Sequence, residues 1–449
     1  MKNISIWKDT VEKIEFHKLD KDKECDVLII GGGITGASCY YFLKNSNLNV
    51  LLVEQNKIGM GVTSNSTGKL SFMQNDLLEN IRNSHGDLIA KKYLKSQLDA
   101  INLIVDIIKK EKINCDLVKV DSSIYTNDDK KVKELKSLEN FLIDCGIKIG
   151  HNENKLVKEK YSISASDTYI FHPVKFVYGL LKDLPNIYED SSIIDIREEN
   201  GFYYAYTSKY KIKTKWIIIA SHYPYFNIPF MFPFKGTLEK SYLSASLCKV
   251  DDLSLISYSN PFISMRTYKD YLIYLSNSHL INKDIDDKKH FMELKKKLKD
   301  LKLKPDYLWS NSDIMTNDYL PFIGEIKDKM ILATGYNTWG LANSVLAGNI
   351  IKDIILDNKN EYIEIFDPSR VNVDKIIKVL SSSYHSIEGY TNGLFSSKEK
   401  KIFKCPHMKC TLVFNEIENT YDCPCHGSRF NIDGTCINAP SNQNIDIKK

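Results

Sequence analysis

Between Cys25 and Gln55 the chain reads CDVLIIGGGITGASCYYFLKNSNLNVLLVEQ, an unbroken apolar run, a glycine cluster, an amphipathic stretch and a second apolar run ending in an acid. Apolar runs without polar alternation fit strands buried on both faces, so this pattern predicts a strand, helix, strand unit with parallel strands. Leu and Ile at helical spacing, with Lys between them, predict one or two long helices from about Asp76 to Lys112. A short strand is expected near Leu117 to Tyr125, a helix over Lys130 to Cys145, and a further helix around Phe171 to Leu184 with Pro173 in its first turn. SSIIDI, FYYAYT and KWIIIAS, between Ser191 and Ser221, read as strands, the last ending in the loop SHYPYF. From Pro229 to about Trp309, aromatic and β-branched residues alternate with polar ones, as in SYLSASL and YLIYLSN, which predicts an antiparallel sheet with one open face. From Met330 the strand, glycine turn and helix pattern returns in MILATGYNTWGLANSVLAGNIIKDIILDN.

These elements predict an α/β fold class. A discontinuous Rossmann-like dinucleotide-binding domain covers 1–75, 150–225 and 310–370, and an antiparallel-sheet substrate domain covers 76–149 and 226–309. A linker over 371–394, where one short helix is mixed with Ser, Asn and Gly, leads to a small all-β domain over 395–449.

Composition narrows the class without changing it. The chain has 449 residues, 43% hydrophobic and 26% charged, as in an ordinary folded protein. Lys plus Arg at 61 against Asp plus Glu at 57 leaves +4, with no basic cluster interleaved with aromatics, so nucleic acid is not an expected partner. MKNISIWKDTVEKIEF lacks the apolar core of a signal peptide, and no run approaches the roughly 18 apolar residues of a membrane helix. A cytoplasmic protein without a membrane span is expected. Among ten cysteines, Cys25, Cys39, Cys115, Cys145 and Cys248 are scattered in apolar surroundings and read as inert. Cys405, Cys410, Cys423, Cys425 and Cys436 crowd the tail, where sulfur must have a use; Cys436 has no assigned role.

Gly31, Gly33 and Gly36 form G-x-G-x-x-G at the tip of the first strand, where a missing Cβ permits a tight turn and close approach of the backbone to a pyrophosphate. The helix from about Ile34, through Thr35, would aim free N–H groups and a positive dipole end at the phosphates. Glu54, with Gln55 beside it, closes the second strand where a carboxylate can accept from ribose hydroxyls. This establishes a dinucleotide site but does not choose between NAD and FAD. The segment GGGITGASCYYFLKNSNLNVLLVEQNKIGMGVTSNSTGKLS resembles the amino-terminal signature of the D-amino acid oxidase superfamily of FAD-dependent oxidoreductases, which includes glycine and sarcosine oxidases. ATGYNTWGLANSVLAG resembles that family's carboxy-terminal flavin motif. The resemblance implies FAD, with Gly335, Trp339, Gly340 and Leu341 near the flavin ring and Thr63, Ser64 and Thr67 on the pyrophosphate or ring. It also puts Lys69 where related oxidases keep a cation beside the flavin.

The tail carries Cys405-Pro-His407-Met-Lys-Cys410 and Cys423-Pro-Cys425-His426-Gly-Ser428-Arg-Phe430. The C-x-H and C-x-x-H pairs supply two thiolates and two imidazoles, the donor set of a Rieske [2Fe-2S] centre. A mononuclear zinc ion takes the same donors, but a zinc ribbon would not need the additional Cys pair or the C-P-C-H-G-S run. The tail resembles a Rieske domain, which implies Cys405, His407, Cys423 and His426 as metal ligands and Cys410 and Cys425 as a disulfide between the cluster loops. It departs from the respiratory pattern at Lys409, where a Gly is usual, and at Phe430, where a Tyr is usual. With that hydroxyl missing, the potential is expected below the upper end of the range of roughly −150 to +300 mV.

Proteins joining these two parts form a bacterial group, and the resemblance runs from about Cys25 to Pro440. It implies a dehydrogenase that oxidises a small amine or amino acid by hydride transfer to flavin N5. Electrons would then pass singly through the cluster to an unidentified electron-transfer partner. The alternatives are a reductase fed through the cluster by a redox partner and a non-catalytic redox sensor. No catalytic residue is assigned, although Arg266 could clamp a carboxylate and His279 could act as a base.

Overall fold

The computed structural model describes residues 1–152, 154, 156–224, 235–258, 261–281, 285–370 and 403–447. The expected linker over 371–394, residues 395–402 of the C-terminal domain, the end of the loop SHYPYF and the start of the second sheet at 229–234 lie outside these. The fold is mixed α/β.

The strands Lys23–Ile30, Val50–Val53 and Lys211–Ile219 form the parallel centre of a nine-stranded sheet, with Lys23–Ile30 between the other two. Ile187–Glu189 and His17–Lys18 extend it on one side. On the other, Lys211–Ile219 pairs through its first half with the antiparallel strand Phe202–Tyr206 and through its second half with the parallel strand Met330–Thr334. The SSIIDI segment contributes only its end, as Asp195–Glu199. Val27, Leu28, Ile29, Leu52, Ile217, Ile218 and Ile219 are fully buried, each stabilising by about 2 kcal/mol relative to exposure. The strands therefore end side by side and deliver Gly31, Glu54 and Ala220 to one edge, where an open α/β sheet binds ligands.

The helices expected over 76–112 are two, Leu77–His85 and Asp87–Lys110, split at Gly86, whose φ of +83° favours glycine. Asp129–Asp144 and Pro173–Leu181 match the expected later helices.

The second sheet has seven strands, in the order Tyr307–Thr316, Gly236–Leu247, Tyr271–Leu280, Ser264–Tyr268, Ser254–Ser257, Ser122–Thr126, Tyr161–Ala165. All pairings are antiparallel except that of Ser254–Ser257 with Ser122–Thr126. Tyr161–Ala165, inside 150–225, and Tyr307–Thr316, mostly inside 310–370, thus belong to this sheet and not to the first. Among the described residues the expected open face is absent: Ser241 through Ser246 and Ser264 through Tyr268 are buried on both sides. One side packs under the helix Asp287–Asp300, where Phe291, Leu294 and Leu298 meet Tyr242, Leu272 and Leu308. The other side, with Leu243, Ala245 and Ile273, joins the main core. The alternation misled because serines fill the polar positions, and serine is small enough to be buried: Ser122 bonds Ser254, and the hydroxyls of Ser244, Ser246 and Ser276 are buried with no hydrogen-bond partner among the described residues.

The tail is a four-stranded antiparallel sheet, Val413–Asn415, Thr420–Asp422, Arg429–Asn431 and Cys436–Asn438. Its own core holds little beyond Cys405, Cys410, Leu412, Phe430, Cys436 and Ile445. A unit this small has too little apolar area to stand alone, and it leans on both sheets. Gly427 sits against Leu238 and Ile281, and Asn442 spans to the carbonyls of Ile193 and Ile194.

Candidate functional site: a cleft and a cysteine-histidine pocket

A cavity of about 790 Å³ opens at the strand-end edge of the nine-stranded sheet, within the size range of cofactor sites. Gly31, Gly33, Ile34 and Thr35 form its floor, Glu54 and Gln55 one end, and Thr63, Thr67 and Lys69 a side; Trp339, Gly340 and Leu341 close it from the second glycine turn. Gly36, Ser64 and Gly335 are not on its wall. A Cβ on Gly36 would come within 1.9 Å of Gly31 O, so this glycine lets helix Ile34–Leu43 close onto the strand. Ser64 is fully buried and donates to Gly61 O at 2.8 Å. Gly335 turns the chain at φ +73° against Thr316.

The cleft is polar where a dinucleotide needs it. Gly33 caps helix Ile34–Leu43 without a side chain, leaving the helix start open to a phosphate, and Thr63 Oγ1 accepts from Ile34 N at 3.0 Å. Glu54 accepts from Gly32 N at 2.7 Å and from Asn56 N at 2.8 Å; burial raises its carboxyl against these bonds. Trp339 Nε1 is buried with no hydrogen-bond partner among the described residues, as expected of a donor that meets a bound group. Lys69 donates to Leu255 O at 2.7 Å, and burial, with Arg266 beside it, pushes its ammonium well below the usual range.

Three segments distant in sequence line the rest of the cavity. Lys8 comes from the N-terminal helix Ile6–Thr10, and burial, then Arg429, brings its ammonium down to about 8. His222, at φ +62° just past strand Lys211–Ile219, has Nε2 3.5 Å from Asp313 Oδ1. Asn311 donates to the other Asp313 oxygen at 3.3 Å. No motif spacing marks these residues; they meet because strand Tyr307–Thr316 and the end of Lys211–Ile219 face the same space. Arg266 and His279 are elsewhere. Arg266 is fully buried, spends Nη1 on the Gly68 and Phe171 carbonyls and Nε on Thr267 O, and stacks over Trp7. His279 bonds Tyr242 OH at 3.1 Å and stacks on His290.

The tail brings Cys405, His407, Cys423 and His426 together. The His407 and His426 rings lie 5.0 Å apart at 86°. Each has a buried Nδ1 without a hydrogen-bond partner among the described residues, and burial holds both imidazoles below their ordinary value, His426 at about 4. Neutral rings with idle nitrogens are in ligating form. Cys405 bonds Cys423, which brings the Cys405 thiol down to about 6 and raises Cys423. The amides of His407 and Met408 point at Cys405 and those of Cys425 and His426 at Cys423, so both loops offer the same N–H cage to a thiolate. These four donors fit a two-iron centre with mixed thiolate and imidazole ligands. Cys410 and Cys425 form a disulfide that ties the loops, and Ser428 Oγ accepts from Ser441 N while also reaching Cys405. Lys409 adopts φ +59°, which explains why glycine is usual there. Cys436 is buried and donates to Ser441 O at 3.0 Å.

Between pocket and cleft lies a buried ion network. Lys240 bonds Asp287 at 2.8 Å and Asp422 at 2.7 Å, while Arg429 bonds Asp422 at 3.1 Å and Glu418 at 2.8 Å. Burial opposes the charges, but Arg429 and Lys240 hold Asp422 and Glu418 below the usual carboxylate range. On the inner side, the Tyr223 ring packs edge to face on His426. Among the described residues no helix is long and apolar enough to cross a membrane.

Residues 26–354 match the family model described as FAD dependent oxidoreductase, and residues 401–448 the Rieske [2Fe-2S] domain. The chain is 26% identical to YhfW of Bacillus subtilis (strain 168), provisionally named a Rieske 2Fe-2S iron-sulfur protein, across 97% of this chain and 96% of that one. It is 23% identical to gamma-glutamylputrescine oxidoreductase of Escherichia coli (strain K12), over 76% of this chain and 85% of the relative. Among solved structures, glycine oxidase from Geobacillus kaustophilus shares the fold with TM-score 0.63 at 16% identity, over 78% of this chain and all (100%) of that one. L-amino acid deaminase from Proteus vulgaris does so with TM-score 0.64 at 16% identity, over 80% and 100%.

Proposed function

The chain belongs to the FAD-dependent oxidoreductase family and ends in a Rieske [2Fe-2S] domain, and from that premise we propose that it oxidises a small amine or amino acid and passes electrons singly through the cluster to an external acceptor. When bound, flavin supplies a two-electron acceptor and the cluster a one-electron relay. The observation that carries the reading is the packing of Tyr223, next to the cleft residue His222, on the cluster-pocket residue His426.

In this reading Gly31, Gly33 and Ile34 cradle the pyrophosphate, Glu54 holds the ribose, and Trp339 to Leu341 border the ring. Cys405, His407, Cys423 and His426 hold the cluster. His222, Asn311 and Asp313 form the substrate side: Asp313 Oδ1 binds the substrate ammonium and His222 Nε2 stands ready for the proton the amine must lose. The names of relatives and fold neighbours, gamma-glutamylputrescine oxidoreductase, glycine oxidase and L-amino acid deaminase, support the amine and amino-acid class. The cluster favours a dehydrogenase over an oxidase, and a location in the cytoplasm accords with the free, buried thiols of Cys25, Cys39 and Cys115.

The test is anaerobic mixing of the purified protein with a panel of amines and amino acids. Bleaching of the flavin followed by reduction of the cluster is expected for a substrate. Flavin that stays oxidised with every compound, while an external donor reduces the cluster, would replace this reading with a reductase or a sensor.

A further inference from the structure

At the end of the cleft beside Glu54, the nine-stranded sheet supplies Glu189 and, just after that strand, Asp190, Ser191 and Ile193. The tail lines the same cavity: Asn431, Thr435, Ile437 and Asn438, on the hairpin of strands Arg429–Asn431 and Cys436–Asn438, share its wall with Glu54, Gln55 and Asn56. The hairpin is fastened there. Gln55 Nε2 donates to Cys436 O at 3.2 Å, Ser192 Oγ to Asn442 O at 3.3 Å, and Asn442 Nδ2 reaches the carbonyls of Ile193 and Ile194 at 3.4 Å. In a G-x-G-x-x-G fold the acid at the end of the second strand marks the ribose, so this is the adenosine half of the site.

We propose that the hairpin Arg429–Asn438 of the cluster domain is a wall of the FAD site, with Ile437 packing on the adenosine half and Asn431, Thr435 and Asn438 meeting its polar edges. A ligand that touches both walls binds the docked arrangement and not the undocked one. FAD therefore stabilises docking of the cluster domain, and docking tightens FAD by the same factor. The second redox centre is thus held to the first by the cofactor itself. This rests on FAD occupying the cleft, as in the functional reading above.

Two measurements on the full-length protein test it. In the first, amide hydrogen exchange is followed as the FAD-depleted protein is titrated with FAD. Protection is expected at 429–439 as well as at 31–36 and 53–57, and protection of the latter two segments alone overturns the proposal. No FAD uptake at all would instead sink the functional reading, so the two failures are distinct. In the second, the FAD dissociation constant is measured for Ile437→Ser and for Ile432→Ser, whose side chain is 59% exposed on the same hairpin and off the cleft. Ile437→Ser is expected to weaken FAD about tenfold, equivalent to about 1.4 kcal/mol, with the visible spectrum of the cluster retained and Ile432→Ser unchanged in both respects. Wild-type FAD affinity in Ile437→Ser, with the cluster kept or lost, overturns the proposal.

Discussion

The ring of Tyr223 meets the ring of His426 edge to face, with centroids 6.1 Å apart and planes at 62°. Tyr223 is buried, and burial pushes its hydroxyl far above the ordinary range, so the residue acts as a neutral aromatic body against a cluster-pocket imidazole. Tyr223→Phe keeps that body and should leave cluster reduction by flavin unchanged. Tyr223→Ala opens a cavity between cleft and pocket at about 3 kcal/mol. It should slow cluster reduction in stopped-flow traces while leaving the preceding flavin bleaching at its original rate.

Lys240 is nearly buried between Asp287, on the second sheet's covering helix, and Asp422, next to Cys423 in the tail. Lys240→Met preserves volume but leaves Asp287 without its cation, while Asp422 keeps Arg429, a change that costs about 3 kcal/mol when one partner of a buried pair is removed. The urea midpoint followed by cluster absorbance should fall. Lys240→Met with Asp287→Asn, which removes that carboxylate's charge, should recover part of the loss.

Which parts were legible follows from how far apart the cooperating residues are. Gly31, Gly33, Glu54 and the Cys405 to His426 donors sit within short segments whose spacing itself carries the chemistry. Lys8, His222, Asp313 and the Ile437 wall are brought to the cleft by separate chain segments, and no local pattern announces that meeting. The helix Asp287–Asp300 did leave a signal, with His290, Phe291, Leu294 and Leu298 at helical spacing, but it was hidden inside a stretch dominated by strand alternation. Arg266 shows the limit most clearly. Nothing in ISMRTY tells a fully buried arginine that spends its donors on carbonyls from one that clamps a substrate.

Lys409 holds φ +59° between His407 and Cys410, in the cluster loop. A side chain in the left-handed region costs about 1 kcal/mol that glycine does not. Lys409→Gly should therefore slow cluster loss during thermal inactivation. An unchanged or faster loss would mean that the longer unfolded-state freedom of glycine offsets the relief.

His172 is fully buried, with Nδ1 accepting from Lys175 N at 3.3 Å and Nε2 3.2 Å from Thr10 Oγ1, between the rings of Trp7 and Tyr268. Burial, then the nearby Lys175, lowers its pKa from 6.5 to about 3. Since the folded value is the lower one, the unfolded chain binds the proton first as pH falls. The stabilisation is complete above about pH 6.5 and is lost progressively as pH falls from there towards 3, by up to about 1.4 kcal/mol per pH unit. His172→Asn keeps a side-chain cap for helix Pro173–Leu181 but does not titrate. Between pH 8 and pH 5 the wild type should lose about 2 kcal/mol more than this variant in urea unfolding. Parallel pH dependences would show that His172 is already charged in the folded protein.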